Sequence, residues 1–545
     1  MAHSILATRR HSAPSRSALV ACLLAGLIVV AALYGRIMGY DLRRDETMFV
    51  PPAALLGDQV LYADLFYNHV PYSAWLFRAM HLLLPWMGLL AVARLTVFLC
   101  WLMLLGSAAW IGWRLTRSAL VAAVGPVSLF TADVLLGQTG MAATNNLLPL
   151  PFAMLGLGLF AIAIAEQRQN FIQLLFAGVL LSIAAGMKAS AIAFVPAVAI
   201  GCFLVPRRLT LAERMRGVVL PVALGGLIGA APLIWYALST PDLFFAHILE
   251  YHSGPHVAYW QANAESEPDL ALTAPAKLQL GYSVWMVGAT LLAVFLAILS
   301  RVVAGGNDGD AWSSGAFEAA GVVAASVVTA ALLAFVPTPG FPQYYAAPLI
   351  GPPILIALLC RAMPVERFDL MRPAIATALA LMVVYGGPRL ALGLNDLRNP
   401  SQLTTARIER SAGLLRDRLA EAGLDQAGPV ATLSPIYPLA AGLPIYSELS
   451  AGPFAYRVAE YTEPELRAHY ALVGASDLPA LLDATPPAGI LTGFDPALET
   501  PFEDYARANG FTLVEMPKIS DRYGSARLWL RAAPGDTTDL TGERQ

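Results

Sequence analysis

Residues 17–34 read SALVACLLAGLIVVAALY, and the chain continues through Gly35-Arg36-Ile37-Met38-Gly39 into Tyr40-Asp41-Leu42-Arg43-Arg44-Asp45-Glu46-Thr47-Met48-Phe49. The first stretch carries no charge. A helix of that length rises about 27 Å, close to the roughly 30 Å of a bilayer's hydrocarbon. The second stretch is dense in carboxylates, guanidinium groups and aromatics. An apolar run that ends so abruptly reads as a membrane crossing followed by a loop in water. Arg9, Arg10 and Arg16 precede the run, as they would in a signal peptide. Its length, the lack of a small-x-small site and the further apolar runs favour an uncleaved first span.

Composition extends that reading to the whole chain. Of 545 residues, 57% are hydrophobic and 13% charged, with a mean hydropathy of +0.59. Soluble domains carry about 25% charged residues, so many segments here have no polar face and a bilayer is their natural solvent. Apolar runs long enough to cross appear near 17–34, 86–113, 118–136, 147–165, 171–187, 190–205, 217–237, 279–300, 316–336, 344–362 and 373–388. The expected fold is therefore an all-α polytopic membrane bundle of about eleven transmembrane helices over 1–392. From about 393 to 545 charges become frequent and the apolar runs shorten, which predicts a small C-terminal α/β extracytoplasmic domain. Its expected strands are Pro429–Leu439, Gly489–Gly493, Phe511–Met516 and Ala526–Leu530, and its expected helices Leu403–Ala422, Glu463–Leu472 and Pro501–Asn509.

Arginines orient the bundle. With the N-terminus in the cytoplasm, inner segments hold Arg114, Arg117, Arg168, Arg207, Arg208, Arg214, Arg216, Arg301, Arg361, Arg367 and Arg372. The outer loops 137–146, 238–276 and 337–343 hold neither Arg nor Lys. The first outer loop, with Arg36, Arg43 and Arg44, is the exception. Eleven crossings leave the C-terminal domain outside. A net charge of −3 gives no sign of a nucleic-acid partner. Cys22, Cys100, Cys202 and Cys360 lie in or beside apolar runs, without disulfide or metal spacing.

The first outer loop continues through Gly57 to Tyr62-Ala63-Asp64-Leu65-Phe66-Tyr67-Asn68-His69-Val70-Pro71, before an amphipathic surface helix over Tyr72–Leu84. An Asp-Glu pair just after the first span, a Gly about a dozen residues on, then Tyr-x-Asp and His-x-Pro, resembles the first outer loop of the GT-C glycosyltransferases. The nearest branch comprises the dolichyl-phosphate-mannose protein mannosyltransferases and their bacterial, family-39-like relatives. Pro339-Gly340-Phe341-Pro342-Gln343-Tyr344-Tyr345-Ala346-Ala347-Pro348 resembles that family's His-Tyr-x-x-Pro element, with Gln343 in place of the His. The resemblance implies an inverting transferase that takes a sugar from a polyprenyl phosphate at the outer face of the inner (plasma) membrane. The acceptor would be a glycan, a lipid or a protein. It also implies that Asp45 is the catalytic base or orients the acceptor. Glu46 either orients Asp45 or binds a divalent cation, and no metal ligand set is identified. Asp64 and His69 either hold the loop or line the site.

Lys188, in Ala184-Ala185-Gly186-Met187-Lys188-Ala189-Ser190, is one of three lysines in the chain, with Lys277 and Lys518. An ammonium in an apolar run is costly unless paired or functional, and this depth suits a lipid-linked phosphate. Arg94, eight residues into the second span, pairs either with that phosphate or with a first-loop carboxylate. His252 and His256 lie in the 238–276 loop that the resemblance sets beside the donor. Gly254-Pro255 between them breaks helical ligand spacing, so contact with sugar or phosphate is the preferred reading over a metal site. Tyr344 and Tyr345 open a late span. Asp308-Gly309-Asp310 imitates a nucleotide-sugar motif but reads as a solvated turn. The competing classes are a lipid or solute transporter or flippase, which predicts ionisable groups at mid-membrane, and a non-catalytic membrane assembly protein.

Overall fold

The computed structural model describes residues 16–265, 270–305 and 315–531. Arg9, Arg10 and the Asp308-Gly309-Asp310 segment lie outside them. The chain is mostly helical. Among the described residues six helices are long and apolar enough to cross a membrane: Val20–Gly39, Leu89–Thr116, Leu211–Ser239, Gly315–Ala334, Pro342–Ala362 and Val365–Asp396. The chain is thus a multi-pass membrane protein.

Eleven full spans are not established. Ala274–Trp285 and Gly288–Ala304 make one further crossing only if taken together, and they are bent by 78°. The bend falls at Gly288, whose φ of +57° suits glycine and whose missing side chain makes room for the Tyr385 ring. Ala119–Phe130, Pro149–Ala165, Phe171–Met187 and Ala189–Leu204 are apolar but of 10–17 residues. Hydropathy detects their composition and misses the breaks that shorten them, such as the turn after Phe130 and the extended Lys188 (φ −152°, ψ 123°).

The first long helix packs along the last one. Gly35 and Gly393 let the two backbones meet: a methyl group on Gly393 would overlap the Ala32 carbonyl oxygen, and one on Gly35 would overlap the Gly393 carbonyl. Small residues serve this purpose where no hydrophobic effect drives helices together. Backbone cannot yield as a side chain does. Gly393→Ala is therefore expected to lower stability by about 1–3 kcal/mol, read as an earlier thermal unfolding in detergent. An unchanged transition would show that the two helices are free to part.

After Asp396 the chain builds a mixed four-stranded sheet of order β1-β2-β4-β3. Its strands are β1 (Val430–Thr432), β2 (Gly489–Thr492), β3 (Thr512–Ser520) and β4 (Ser525–Leu530). β1 runs parallel to β2, while β4 is antiparallel to both β2 and β3. The expected strand Pro429–Leu439 stops at Thr432. Pro435 lacks an N–H for a ladder and its φ of −65° starts the helix Ile436–Ala440 instead. The expected helix Glu463–Leu472 shrinks to Pro464–Arg467, and the chain leaves it through Ala471 at φ +51°. β3 outruns its prediction, with the register shift between Met516 and Ser520 spanning Pro517.

The sheet region does not stand clear of the helices. Leu42 after the first span and Leu90 at the start of the second share a core with Ile408, Leu415, Leu419, Leu491 and Leu528. Phe66 of the first loop, with Ala246 and Tyr251, shares another with Ala451, Ala455 and Val458. The C-terminal region is thereby clamped over the first loop.

Candidate active site

The first loop opens as a helix over Arg44–Leu55, one residue after the extended Arg43 (φ −114°, ψ 140°). Asp45 and Glu46 fall in its first turn, where the helix dipole favours carboxylates. Consecutive helical residues point about 100° apart, so the two acids have separate fates. Glu46 turns inward and is fully buried with Arg94. It accepts from Arg94 Nη2 at 2.8 Å and Nε at 3.0 Å, from Ala143 N at 2.8 Å and from Arg43 N at 3.0 Å. Arg94 gives its remaining N–H groups to the carbonyls of Ile37, Met38, Tyr40 and Asp41.

Asp45 turns the other way. Gln138, on the short helix Gln138–Met141, donates Nε2–H to its Oδ2, and Arg43 Nε donates to Gln138 Oε1 at 3.1 Å. Removal from water holds the Asp45 carboxyl above the usual carboxylate range. The charges of Arg457 and Arg43 oppose that rise, and Glu46 adds to it. Lys188 is within electrostatic reach of the same carboxylate. Its Nζ donates to Asn146 Oδ1 at 2.7 Å and lies 5.0 Å from the centre of the Tyr344 ring.

From Lys188 the walls run on through rings. Tyr344 meets Phe341 at 5.7 Å, Phe341 meets Trp260 at 6.2 Å, and the Arg457 guanidinium lies 4.6 Å from the Trp260 centroid. Trp260 meets His256 at 6.2 Å, His256 meets His252 at 5.7 Å, and His252 meets His69 at 5.9 Å. His69 in turn feels Lys188, so the circuit closes. Desolvation is the leading influence on Asp45, His69, His252, His256 and Arg457, yet each keeps some accessible surface. These side chains therefore form one cluster in which each is only partly covered. Burial takes His256 down to about 3, and His69 well below its ordinary value, which favours their neutral forms.

ArnT from Cupriavidus metallidurans, solved bound to undecaprenyl phosphate, superposes with a TM-score of 0.59 at 14% identity, over 96% of this chain and 99% of that one. This chain has the GT-C glycosyltransferase fold. The same ArnT in the apo state gives 0.59 at 13% identity, over 94% and 98% of the two chains. The Archaeoglobus fulgidus oligosaccharyltransferase, solved with Zn and sulfate, superposes at 0.44 and 10% identity, over 92% and 73%. No family model and no curated protein matches the sequence.

Within the GT-C fold the residues singled out from sequence have different surroundings. Asp45, Lys188, His69, His252, His256 and Tyr344 come together in one cluster. Glu46 and Arg94 form the buried pair behind it, leaving Arg94 no N–H to offer an anion. Asp64 is exposed and accepts from Val60 N at 2.8 Å, closing a turn. His69 holds the loop, stacking on Phe49 at 4.7 Å and contacting Met48 Sδ at 3.0 Å. Tyr345 is buried, and its hydroxyl donates to the Lys277 carbonyl at 3.0 Å. Among the described residues no three His, Cys, Asp or Glu side chains gather closely enough to hold a metal ion. Gln138 escaped sequence reasoning because an uncharged residue in an uncharged loop gives no signal.

Proposed function

We propose that the chain is a glycosyltransferase that moves a sugar from a polyprenyl-phosphate donor to an acceptor hydroxyl, at the extracytoplasmic face of the inner membrane. The observation that carries the reading is the meeting of one carboxylate, Asp45, with two cations, Lys188 and Arg457, in one enclosed place. The GT-C fold and the undecaprenyl phosphate described in the ArnT structure support it. A sugar on a lipid phosphate already has a good leaving group, so two tasks remain. Asp45 takes the proton of the acceptor hydroxyl as its oxygen attacks the anomeric carbon. The bond from that carbon to the phosphate oxygen breaks, and its electron pair leaves with the phosphate, whose charge Lys188 and Arg457 stabilise. Attack opposite the phosphate inverts the anomeric centre. The raised pKa of Asp45 suits a base working near neutrality. The arginine bias of the loops supports a cytoplasmic N-terminus and an extracytoplasmic C-terminal region.

The test is release of lipid phosphate by the purified chain from a panel of polyprenyl-phosphate sugars. Lys188→Met is expected to weaken binding of bare polyprenyl phosphate by about 10–100-fold, the loss of one hydrogen bond to a charged group. A wild type that binds no polyprenyl phosphate and cleaves no donor would refute the proposal.

A further inference from the structure

Asp45 has two oxygens, and the protein engages one of them. Gln138 Nε2 donates to Oδ2, and among the described residues no group donates to Oδ1. The Gln138 amide can face Asp45 with either end. Turned over, it would set Oε1 against Oδ2, two acceptors with no hydrogen between them. Arg43 decides the matter. A guanidinium has donors only, and Arg43 Nε donates to Gln138 Oε1 at 3.1 Å, which leaves Nε2 for Asp45. Both ends of this relay are anchored. Arg43 N donates to Glu46 Oε2 at 3.0 Å, and the Arg43 guanidinium lies 5.7 Å from the centre of the Tyr40 ring. Gln138 opens the helix Gln138–Met141, whose Gly140 carbonyl accepts from the buried Trp101 Nε1 at 2.7 Å. A methyl group on Gly140 would overlap the Leu135 carbonyl oxygen, so this short helix sits tightly on the turn before it. The other charged and titratable groups around Asp45 are Glu46, Lys188, Tyr344, Arg457 and Tyr523. Glu46 is committed to Arg94, and Arg44, the preceding residue, pairs with Asp495 at 3.3 Å.

We propose that Gln138 is a positioning residue for proton transfer: Arg43 locks its amide in one orientation, the amide occupies Asp45 Oδ2, and Oδ1 is left as the atom that takes the proton of the acceptor hydroxyl. This rests on the reading of Asp45 as the base of a polyprenyl-phosphate-dependent transferase. The arrangement does two things. It keeps the carboxylate from turning about its last bond, so Oδ1 holds one direction. It also stabilises the charged form. Burial is the leading influence on Asp45 and raises its pKa, and the Gln138 hydrogen bond works against that rise. An uncharged donor does this without setting a further cation beside the base.

The experiment follows kcat/KM for lipid phosphate release against pH in the full chain, with the polyprenyl-phosphate sugar that wild type cleaves fastest. Binding of bare polyprenyl phosphate is measured alongside. Gln138→Leu keeps the bulk and removes the amide. Loss of one hydrogen bond to a charged group is expected to move the acid limb of the profile up by about one to two pH units. KM and the binding of bare polyprenyl phosphate are expected to stay within about twofold of wild type, so the loss falls on kcat. Gln138→Glu sets a second carboxylate beside the first and should move the limb at least as far. Arg43→Lys keeps the charge but not the planar fork that fixes the amide, and should move it the same way by less. A Gln138 that served only to hold the fold would lower the rate at every pH and leave the limb in place. An unmoved limb in both Gln138 variants, or a shift with equal weakening of bare lipid binding, would overturn the positioning role while leaving the transferase reading intact. A wild type that releases lipid phosphate with no acid limb would remove Asp45 as the base and the positioning role with it. One that releases none would overturn the transferase reading as well.

Discussion

Asp45→Asn is expected to slow sugar transfer by about 10²–10⁴-fold, the usual contribution of a positioned general base, while binding of bare polyprenyl phosphate stays within a few-fold of wild type. The substitution preserves shape, and an Asn oxygen still accepts the Gln138 amide hydrogen. What disappears is the capacity to take a proton. The pH dependence follows from the same environment. Burial raises the Asp45 pKa above 3.8, and the carboxylate is the working form. The wild-type rate should climb with pH through that raised value and then level off, whereas the residual rate of the variant should not follow that titration. Stability runs in the opposite direction. A carboxyl whose folded pKa is raised stabilises the fold below its unfolded pKa, and that contribution is lost as pH rises through the folded value. At neutral pH the ionised Asp45 is therefore a burden, and Asp45→Asn should unfold no earlier than wild type in detergent. A variant that transfers at the wild-type rate removes Asp45 as the base. One that is slow because it unfolds early makes Asp45 a structural residue.

The candidate site is legible in the sequence where neighbours in space are neighbours in the chain, or where a residue contradicts its surroundings. Asp45 and Glu46 stood out because two acids directly follow an apolar run. Lys188 stood out because an ammonium in such a run must be used or paired. For Arg94 two partners were open, phosphate or first-loop carboxylate, and the folded chain has the second, at Glu46. Charge alone could not choose, because the choice depends on which face of the Leu89–Thr116 helix meets the first loop. Gln138 and Arg457 reach Asp45 only through tertiary contact. In the fold, the long helices were legible from hydropathy. The short apolar helices and the Thr432–Ile436 strand-to-helix change were not, because single breaks such as Lys188 and Pro435 set those boundaries.

Breaking the pair behind Asp45 should damage the protein more than a change at Asp45 or Lys188. Glu46→Ala leaves the Arg94 guanidinium fully buried without its counter-charge, and Arg94→Ala does the same to Glu46. Removing one member of a buried ion pair typically costs about 3–5 kcal/mol, comparable to the whole stability of many domains. Either variant is expected to accumulate poorly in the membrane and to unfold early in detergent. The effect is amplified by position. Arg94 ties down carbonyls at the end of the first span, and Glu46 receives Ala143 N from the segment after Met141. The pair thus joins two long helices, the first loop and the Gln138 segment, and Asp45 is the residue next to Glu46. Any survivor should transfer slowly because Asp45 is misplaced, not because a phosphate contact is lost. The double variant Glu46→Leu/Arg94→Met separates these accounts. With both charges gone no ion is stranded, so it should lose less stability than the two single variants added together. It should also bind bare polyprenyl phosphate as wild type does. Arg94→Lys cannot reproduce the fork to Glu46 and the carbonyls, and should lie between wild type and Arg94→Ala. Single variants as stable as wild type, or a double variant that folds yet no longer binds polyprenyl phosphate, would move Arg94 from the scaffold to the lipid site.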